Sequence, residues 1–367
     1  MKKNKGYELK KILEFCLSPD LGGLELFMVN CYRDFSQKTE CKVVVEEGTK
    51  LDKYLENDEK FYIKRNKLLP FIPALKLARL IDEEEIDVVH FHWTRDITTV
   101  VLAKVLSKRK PKIVQTRNMT MTRFKDDFYH RWLYENVDMM HAVTYQVKDQ
   151  IEKFIPASVC PKVEVIYMGT EEKKISTIRV TELKNSYGLS DEFVVGIVGR
   201  IEEGKGQYIV LDALANLKEL NIKVMIVGHT MDEVYLRSLK EKIKEVGIED
   251  KVIFTGFTKE VDAHMKLFDV NILATKKETF GLVVIEAMMN KVCMIATNAG
   301  GPLEIIEDGV DGLLFDRSSE SLAIQIKKVF TNKLYGRKLS LCGYNKVKND
   351  FDATIQSQKL YLKLQAS

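Results

Sequence analysis

The 367-residue sequence has no CxxC pair, no apolar run of bilayer-spanning length, no tandem repeat and almost no imbalance of charge, and each absence removes a class of protein. Its six cysteines, Cys16, Cys31, Cys41, Cys160, Cys293 and Cys342, are scattered without cysteine or histidine partners at metal-ligand spacing. That pattern argues against a zinc site and for reduced thiols in a cytoplasm. A formal net charge of +4 is too small to indicate nucleic acid as a partner. Met1 to Lys11 is charged and lacks the apolar stretch of a signal peptide, so a cytoplasmic protein is expected. Without internal repeats a solenoid is out. A chain of this length outgrows a single core, so two domains are expected.

What is present is an alternation of short apolar runs with longer amphipathic ones. Strands are expected at 12–16, 43–45, 86–93, 112–116, 139–143 and 162–166, then at 193–198, 222–228, 252–255, 269–274 and 293–297. Helical runs fall between them, among them 24–35, 50–60, 128–134, 146–154, 208–220, 233–246, 261–268 and 319–330. The pattern predicts an α/β protein of two Rossmann-like, doubly wound domains. The charged stretch 169–174 is the candidate linker; the domains are placed at 1–172 and 173–349, and 350–367 is a terminal helix expected to pack back on the first domain. Asp350-Phe351-Asp352, the only Asp-x-Asp triplet, precedes that helix, so Asp352 reads as its N-cap rather than as a metal ligand.

In such folds ligands gather at the carboxyl ends of the strands. The stretch Glu278-Thr279-Phe280-Gly281-Leu282 follows the run 269–274 and opens a helix that carries Glu286. Gly281 permits close backbone approach, and the free N–H groups of a helix start favour an anion. The two carboxylates, alone, read equally as a capping acid and a solvated one. Gly199-Arg200-Ile201-Glu202-Glu203-Gly204-Lys205-Gly206 is a second glycine loop, where fixed amides and two cations can converge on a diphosphate. It is neither a Walker A loop nor GxGxxG, which disfavours P-loop and dinucleotide enzymes. Gly300-Gly301-Pro302, with Glu304, makes a third close-approach loop, and Gly22-Gly23 a fourth near the amino terminus.

On the amino-terminal side, His90 and His92 end a buried strand with period-two spacing. They lack a third ligand at recognisable spacing, so a hydrogen-bonded pair is favoured over a metal site. The loop 117–125, with Arg117, Asn118, Arg123 and Lys125 among Met119, Met121 and Phe124, suits a negatively charged or lipid-linked molecule, or is an ordinary solvated loop. The segment from Lys64 to Arg79 mixes cations with Phe71 and Ile72 and reads either as an amphipathic helix on a sheet or as a contact with an anionic membrane.

Taken in order, Gly199-Arg200 with Lys205-Gly206, Glu278-Thr279-Phe280-Gly281 with Glu286-Ala287-Met288, and Gly300-Gly301-Pro302 with Glu304 resemble the motifs of retaining GT-B glycosyltransferases of family 4, and the resemblance covers most of the chain. It implies two Rossmann-like domains facing across a cleft and transfer from a nucleotide sugar, a UDP-sugar by expectation, with neither metal nor cofactor. Carried over to this sequence, Arg200 and Lys205 neutralise the donor pyrophosphate, Glu286 accepts the ribose hydroxyls, and Glu278 grips the sugar. The backbone at Gly22, Gly23, Phe280, Gly281 and Leu282 approaches sugar or phosphate. Many relatives carry a histidine where this chain has Asn118; asparagine can hydrogen-bond a donor hydroxyl but is no acid or base near neutral pH. His92, Arg117, Arg123 and Lys125 are the acceptor-side candidates. The basic 116–134 region also looks like bacterial enzymes that extend lipopolysaccharide and related glycolipids, which implies a saccharide or glycolipid acceptor and contact with the inner face of the membrane. A GT-B nucleotide-sugar epimerase and a catalytically impaired nucleotide-sugar binder are the alternatives.

Overall fold

The computed structural model describes residues 9–66 and 69–366. Two compact units are present: the first holds the chain up to Tyr167 together with the segment from Gln356 onward, and the second is Met168–Ile355. The divide therefore falls a few residues before the expected 172/173 boundary. Segment 169–174 is not a free linker: Thr170 pairs with Asp352 and Lys173 bonds Asp262 at 2.7 Å.

In the first unit, β1 (Ile12–Phe15), β2 (Cys41–Val45), β3 (Phe61–Tyr62), β4 (Val88–Phe91), β5 (Lys112–Arg117), β6 (Met139–Ala142) and β7 (Lys162–Val165) form one parallel sheet in the order β3-β2-β1-β4-β5-β6-β7. The order reverses beside β1, so the switch point lies between β1 and β4. Strands β1, β4 and β6 are buried along their whole length, as a sheet covered on both faces requires.

In the second unit, β8 (Phe193–Val198), β9 (Ile222–Val227), β10 (Val252–Gly256), β11 (Val270–Leu273), β12 (Cys293–Thr297) and β13 (Leu313–Phe315) form a parallel sheet in the order β10-β9-β8-β11-β12-β13. Its switch point is between β8 and β11, the two strands that deliver the Arg200 and Glu278 loops. Gly196 on β8 lies against Phe268, whose ring would be 2.2 Å from an added Cβ; the missing side chain makes room for that ring.

Several expectations are corrected. The helical run expected at 50–60 is one short helix, Lys50–Tyr54, followed by β3. A helix at Ile97–Leu106 was not expected, because Ile-Thr-Thr-Val-Val is rich in β-branched residues; packing against the helix Phe71–Glu83 overrides that preference. The 18-residue helix Lys333–Asp350 was also not expected, because it has two glycines and little amphipathic contrast. Its glycines are contact points: an added Cβ at Gly343 would meet the Asp311 carbonyl at 2.8 Å, and at Gly336 the Val329 side chain at 2.5 Å.

The terminal helix Ala353–Ala366 is capped by Asp352, whose Oδ1 accepts from the N–H groups of Thr354 and Ile355 at 2.9 and 3.1 Å. Its residues Leu360, Tyr361 and Leu364 belong to the core of the first unit, and Lys363 bonds Glu164 at 2.9 Å. Within the segment 64–79, Lys67 and Leu68 lie outside the described residues. The helix Phe71–Glu83 buries Ala74, Leu77, Ala78 and Ile81, while Phe71 and Ile72 in its first turn stay about half exposed. No helix among the described residues is long and apolar enough to cross a membrane.

Candidate functional site

The second unit gathers three glycine loops around Glu278. The loop after β8 ends at Gly206, whose φ of +76° places it in the left-handed region and starts the helix Gln207–Ala215. A Cβ there would sit 2.4 Å from the Ala274 carbonyl, so only glycine lets this loop rest on the end of β11. Two bonds fix it further: the Lys276 N–H donates to the Gly204 carbonyl at 3.1 Å, and the Gln207 side chain donates to the Arg200 carbonyl at 2.9 Å. The result brings Lys205 Nζ to 3.6 Å from Glu278 Oε2, with both side chains partly exposed. Arg200 is exposed and lies 3.1 Å from Glu202.

The third loop closes on the same residue. Gly301 donates its N–H to the Glu278 carbonyl at 3.0 Å. A Cβ on Gly300, at φ +72°, would be 2.2 Å from that carbonyl, and one on Gly301 would be 2.3 Å from the Phe280 carbonyl. Gly281, at φ +100°, then starts the helix Leu282–Met289; the Val284 N–H donates to the Gly281 carbonyl at 2.8 Å, so the amides of Leu282 and Val283 are the ones left to face an anion. Phe280 is buried, so it contributes backbone rather than side chain at the surface. Glu286, one turn into that helix, has its carboxyl pushed up to about 7 by burial and by the neighbouring Asp262, against the pull of Lys173.

The first unit holds a chain of buried polar groups that the sequence shows only in part. Glu14 on β1 and His90 on β4 are register partners. Glu14 Oε1 is 2.8 Å from His90 Nδ1, and Oε2 is 2.6 Å from His92 Nε2. His90 Nε2 continues to Thr116 Oγ1 at 2.6 Å, Thr116 to His141 Nδ1 at 2.9 Å, and His141 Nε2 to the Ile166 carbonyl at 2.7 Å. The chain crosses β1, β4, β5 and β6 and ends just past β7. Burial opposes ionisation of Glu14, yet His90 and His92 hold its carboxyl below the ordinary range. Burial pushes His92 down to about 4 and His141 to about 3. Among the described residues, Glu14, His90 and His92 are the one group close enough to share a metal ion. Their short mutual hydrogen bonds already satisfy the carboxylate.

Two of the acceptor-side candidates are buried in the first unit. His92 is buried and turned to Glu14, not open to a ligand. Arg117 is buried as well, donating to the Thr120 carbonyl at 3.0 Å, and its Nε and Nη1 have no protein partner. It shapes the loop that carries Asn118, which is half-buried. Arg123 is exposed and Lys125 half-buried, 3.4 Å from His130 Nε2. Gly22 and Gly23 are exposed at the start of the helix Gly23–Phe35, where Glu25 accepts from the Gly22 N–H at 2.9 Å.

A cavity of about 630 Å³ opens at the carboxyl ends of β1, β2, β4 and β5, lined by Asp20, Glu46, Arg65, Trp93, Arg95 and Met119 among others. Only Met119 comes from the loop that the sequence singled out. Arg65 lies in the cationic 64–79 segment, whose sequence points to an anionic membrane or a helix face rather than to this cavity; Trp93 reads only as the end of a strand, and Arg95, just after that buried strand, was missed.

Comparison with known proteins agrees with this architecture. A family model described as glycosyl transferases group 1 matches residues 180–346, and one described as glycosyltransferase family 4 matches residues 21–174. N-acetyl-alpha-D-glucosaminyl L-malate synthase of Bacillus anthracis is 28% identical over 249 residues, covering 66% of this chain and 64% of that protein, so the chain spans less than two thirds of that relative. The putative glycosyltransferase EpsD of Bacillus subtilis is 27% identical over 353 residues, covering 90% of each. A crystal structure of Anabaena HepE in complex with UDP and glucose superposes with a TM-score of 0.84 at 22% identity, covering 98% of this chain and 100% of that one.

Proposed function

This chain belongs to the group 1, family 4 glycosyltransferases, and from that membership we propose that it moves a sugar from a nucleotide-sugar donor to a saccharide or glycolipid acceptor, retaining the anomeric configuration without a metal. The observation that carries the reading is the convergence of three glycine-bearing loops on Glu278, with Lys205 Nζ 3.6 Å from its carboxylate. A carboxylate suits sugar hydroxyls. A lysine, an arginine and the amides after Gly281 suit the charge that grows on a departing diphosphate. Arg200, on an exposed side chain 3.1 Å from Glu202, can reach that charge once a donor displaces that contact.

In this scheme Glu278 and Glu286 hold the donor by its hydroxyls, the cations stabilise the leaving nucleoside diphosphate, and a diphosphate oxygen takes the acceptor proton as the acceptor attacks from the same face. Asn118 orients a hydroxyl and carries no proton. The Anabaena structure holds UDP, so uridine nucleotides are the first donors to test. Exposed Phe71 and Ile72, followed along one helix by exposed Lys76 and Arg79, fit an acceptor presented at an anionic inner-membrane surface in cell-envelope synthesis. Flotation with anionic vesicles at low salt is expected to carry the protein; salt-independent absence from the lipid fraction sinks the membrane part.

The donor is identified by thermal shift against a panel of nucleotide sugars, with EDTA present throughout. One base is expected to raise Tm. No protection by any donor overturns the reading, and an inverted anomeric proton coupling in the product removes the retaining assignment.

A further inference from the structure

The cavity at the switch point of the first sheet contains two guanidinium groups on one indole. Arg65 lies 4.6 Å and Arg95 5.4 Å from the centre of the Trp93 ring. Neither forms an ion pair with a carboxylate among the described residues, although two acids line the same cavity. Glu46 Oε1 accepts from the backbone N–H of Arg65 at 3.2 Å and Asp20 pairs with Lys50 at 3.3 Å, so both carboxylates line the cavity without meeting a guanidinium edge. A third, Asp96, lies buried behind the cavity, held by the Leu17 N–H at 2.9 Å, and burial pushes its carboxyl up to about 7, which weakens it as a counter-charge.

Two like charges held near one ring repel each other, and an anion bound between them relieves that repulsion. A guanidinium over an aromatic ring still presents its N–H edge outward, the edge that matches a carboxylate or phosphate in bidentate fashion. The site also has size and position. About 630 Å³ admits a short oligosaccharide as well as a single sugar, and it opens at the carboxyl ends of the strands on either side of the switch point. Met119, more than half exposed at its wall, offers an apolar surface to the carbon face of a sugar.

We propose that this cavity binds an acidic saccharide, with Arg65 and Arg95 gripping a carboxylate or phosphate on the acceptor. The proposal rests on the glycosyltransferase reading for its word "acceptor", while the anion site itself stands on the geometry of the first unit. It names a property the glycine loops do not specify: the acceptor is charged, and the enzyme tells it from a neutral sugar by that charge.

The test is calorimetric titration of the full chain with four probes: methyl glucuronide, glucose 6-phosphate, methyl glucoside and inorganic phosphate. The two acidic sugars are expected to bind at least about tenfold more tightly than the neutral one, the scale of one charge-assisted hydrogen bond. Preference between glucuronide and glucose 6-phosphate tells a carboxylate site from a phosphate site. Arg65→Gln with Arg95→Gln is expected to remove the preference, while an unchanged Tm shows that the variant is folded. Equal binding of neutral and acidic sugars, a preference that survives in the double variant, or inorganic phosphate binding as tightly as glucose 6-phosphate each overturns the proposal. Thermal protection of the wild type by UDP, measured in parallel, separates the two claims. Protection without anion preference defeats only this inference; anion preference without protection defeats only the donor reading.

Discussion

Acid unfolding of the first unit is the sharpest consequence of the buried Glu14–His90–Thr116–His141 chain. His92 and His141 ionise near 6.5 in an unfolded chain but only near 4 and 3 in the folded one. The unfolded state therefore binds more protons between these values, so the stability the neutral histidines contribute is complete above about pH 6.5 and is lost as the pH falls toward 4. Each group forfeits on the order of a few kcal/mol, at about 1.4 kcal/mol per pH unit of separation. Glu14, held below its ordinary range, adds a loss at still lower pH, again as the pH falls. Against a net stability of roughly 5–15 kcal/mol, that total places the unfolding midpoint of this unit in mildly acid solution.

Both tryptophans of the chain, Trp93 and Trp132, lie in the first unit, so tryptophan fluorescence during urea unfolding reads that unit alone. The free energy of its transition is expected to fall steeply from pH 6.5 to 4.5. His141→Leu supplies the control. It leaves the Thr116 hydroxyl and the Ile166 carbonyl short of a partner, costing about 1–3 kcal/mol at pH 7, but it removes one titrating group and flattens the slope. A flat profile in the wild type, or an identical slope in the variant, refutes the reasoning.

Three further outcomes follow. Gly300→Ala is expected to lower Tm and abolish nucleotide protection, because its Cβ meets the Glu278 carbonyl at 2.2 Å in a left-handed backbone; differential scanning fluorimetry with and without UDP reads both effects. Glu286 loses its proton near pH 7, so the affinity for a UDP-sugar is expected to rise as pH increases through 7, and Glu286→Gln should bind weakly at every pH; a pH-independent wild-type affinity removes Glu286 from the ribose. Gly196→Ala places a methyl group 2.2 Å from the Phe268 ring and is expected to destabilise the second unit by about 1–3 kcal/mol, measured by urea unfolding followed by circular dichroism.

Much of the loop cluster around Glu278 was legible because its determinants are local. Gly204, Lys205 and Gly206 stand together, as do Glu278, Gly281 and Glu286, and a glycine beside a charge after an apolar run is readable one window at a time. What the sequence hid is what the sheet order assembles. Glu14, His90, Thr116 and His141 are up to 127 positions apart and meet only because β1 lies beside β4 and β4 beside β5. Spacing showed two histidines facing one way and could not supply the glutamate between them. Arg65, which follows β3, reaches Trp93 for the same reason, whereas Arg95 is two residues from it in sequence. The helix at Ile97–Leu106 was hidden differently, by β-branched residues whose local preference the packing overrides.

The central claim is that Lys205 and Glu278 form one donor site that works by charge, and it is tested most directly by UDP release from a UDP-sugar in EDTA. The partly exposed pair, 3.6 Å apart, contributes about 1 kcal/mol or less to folding, so Lys205→Ala and Glu278→Gln should leave Tm nearly unchanged. Each should still cut turnover on the order of a hundredfold or more, the scale of losing one preorganised group at developing charge. Folded variants that turn over as fast as the wild type, or wild-type activity that vanishes with EDTA and returns with a divalent ion, would contradict it.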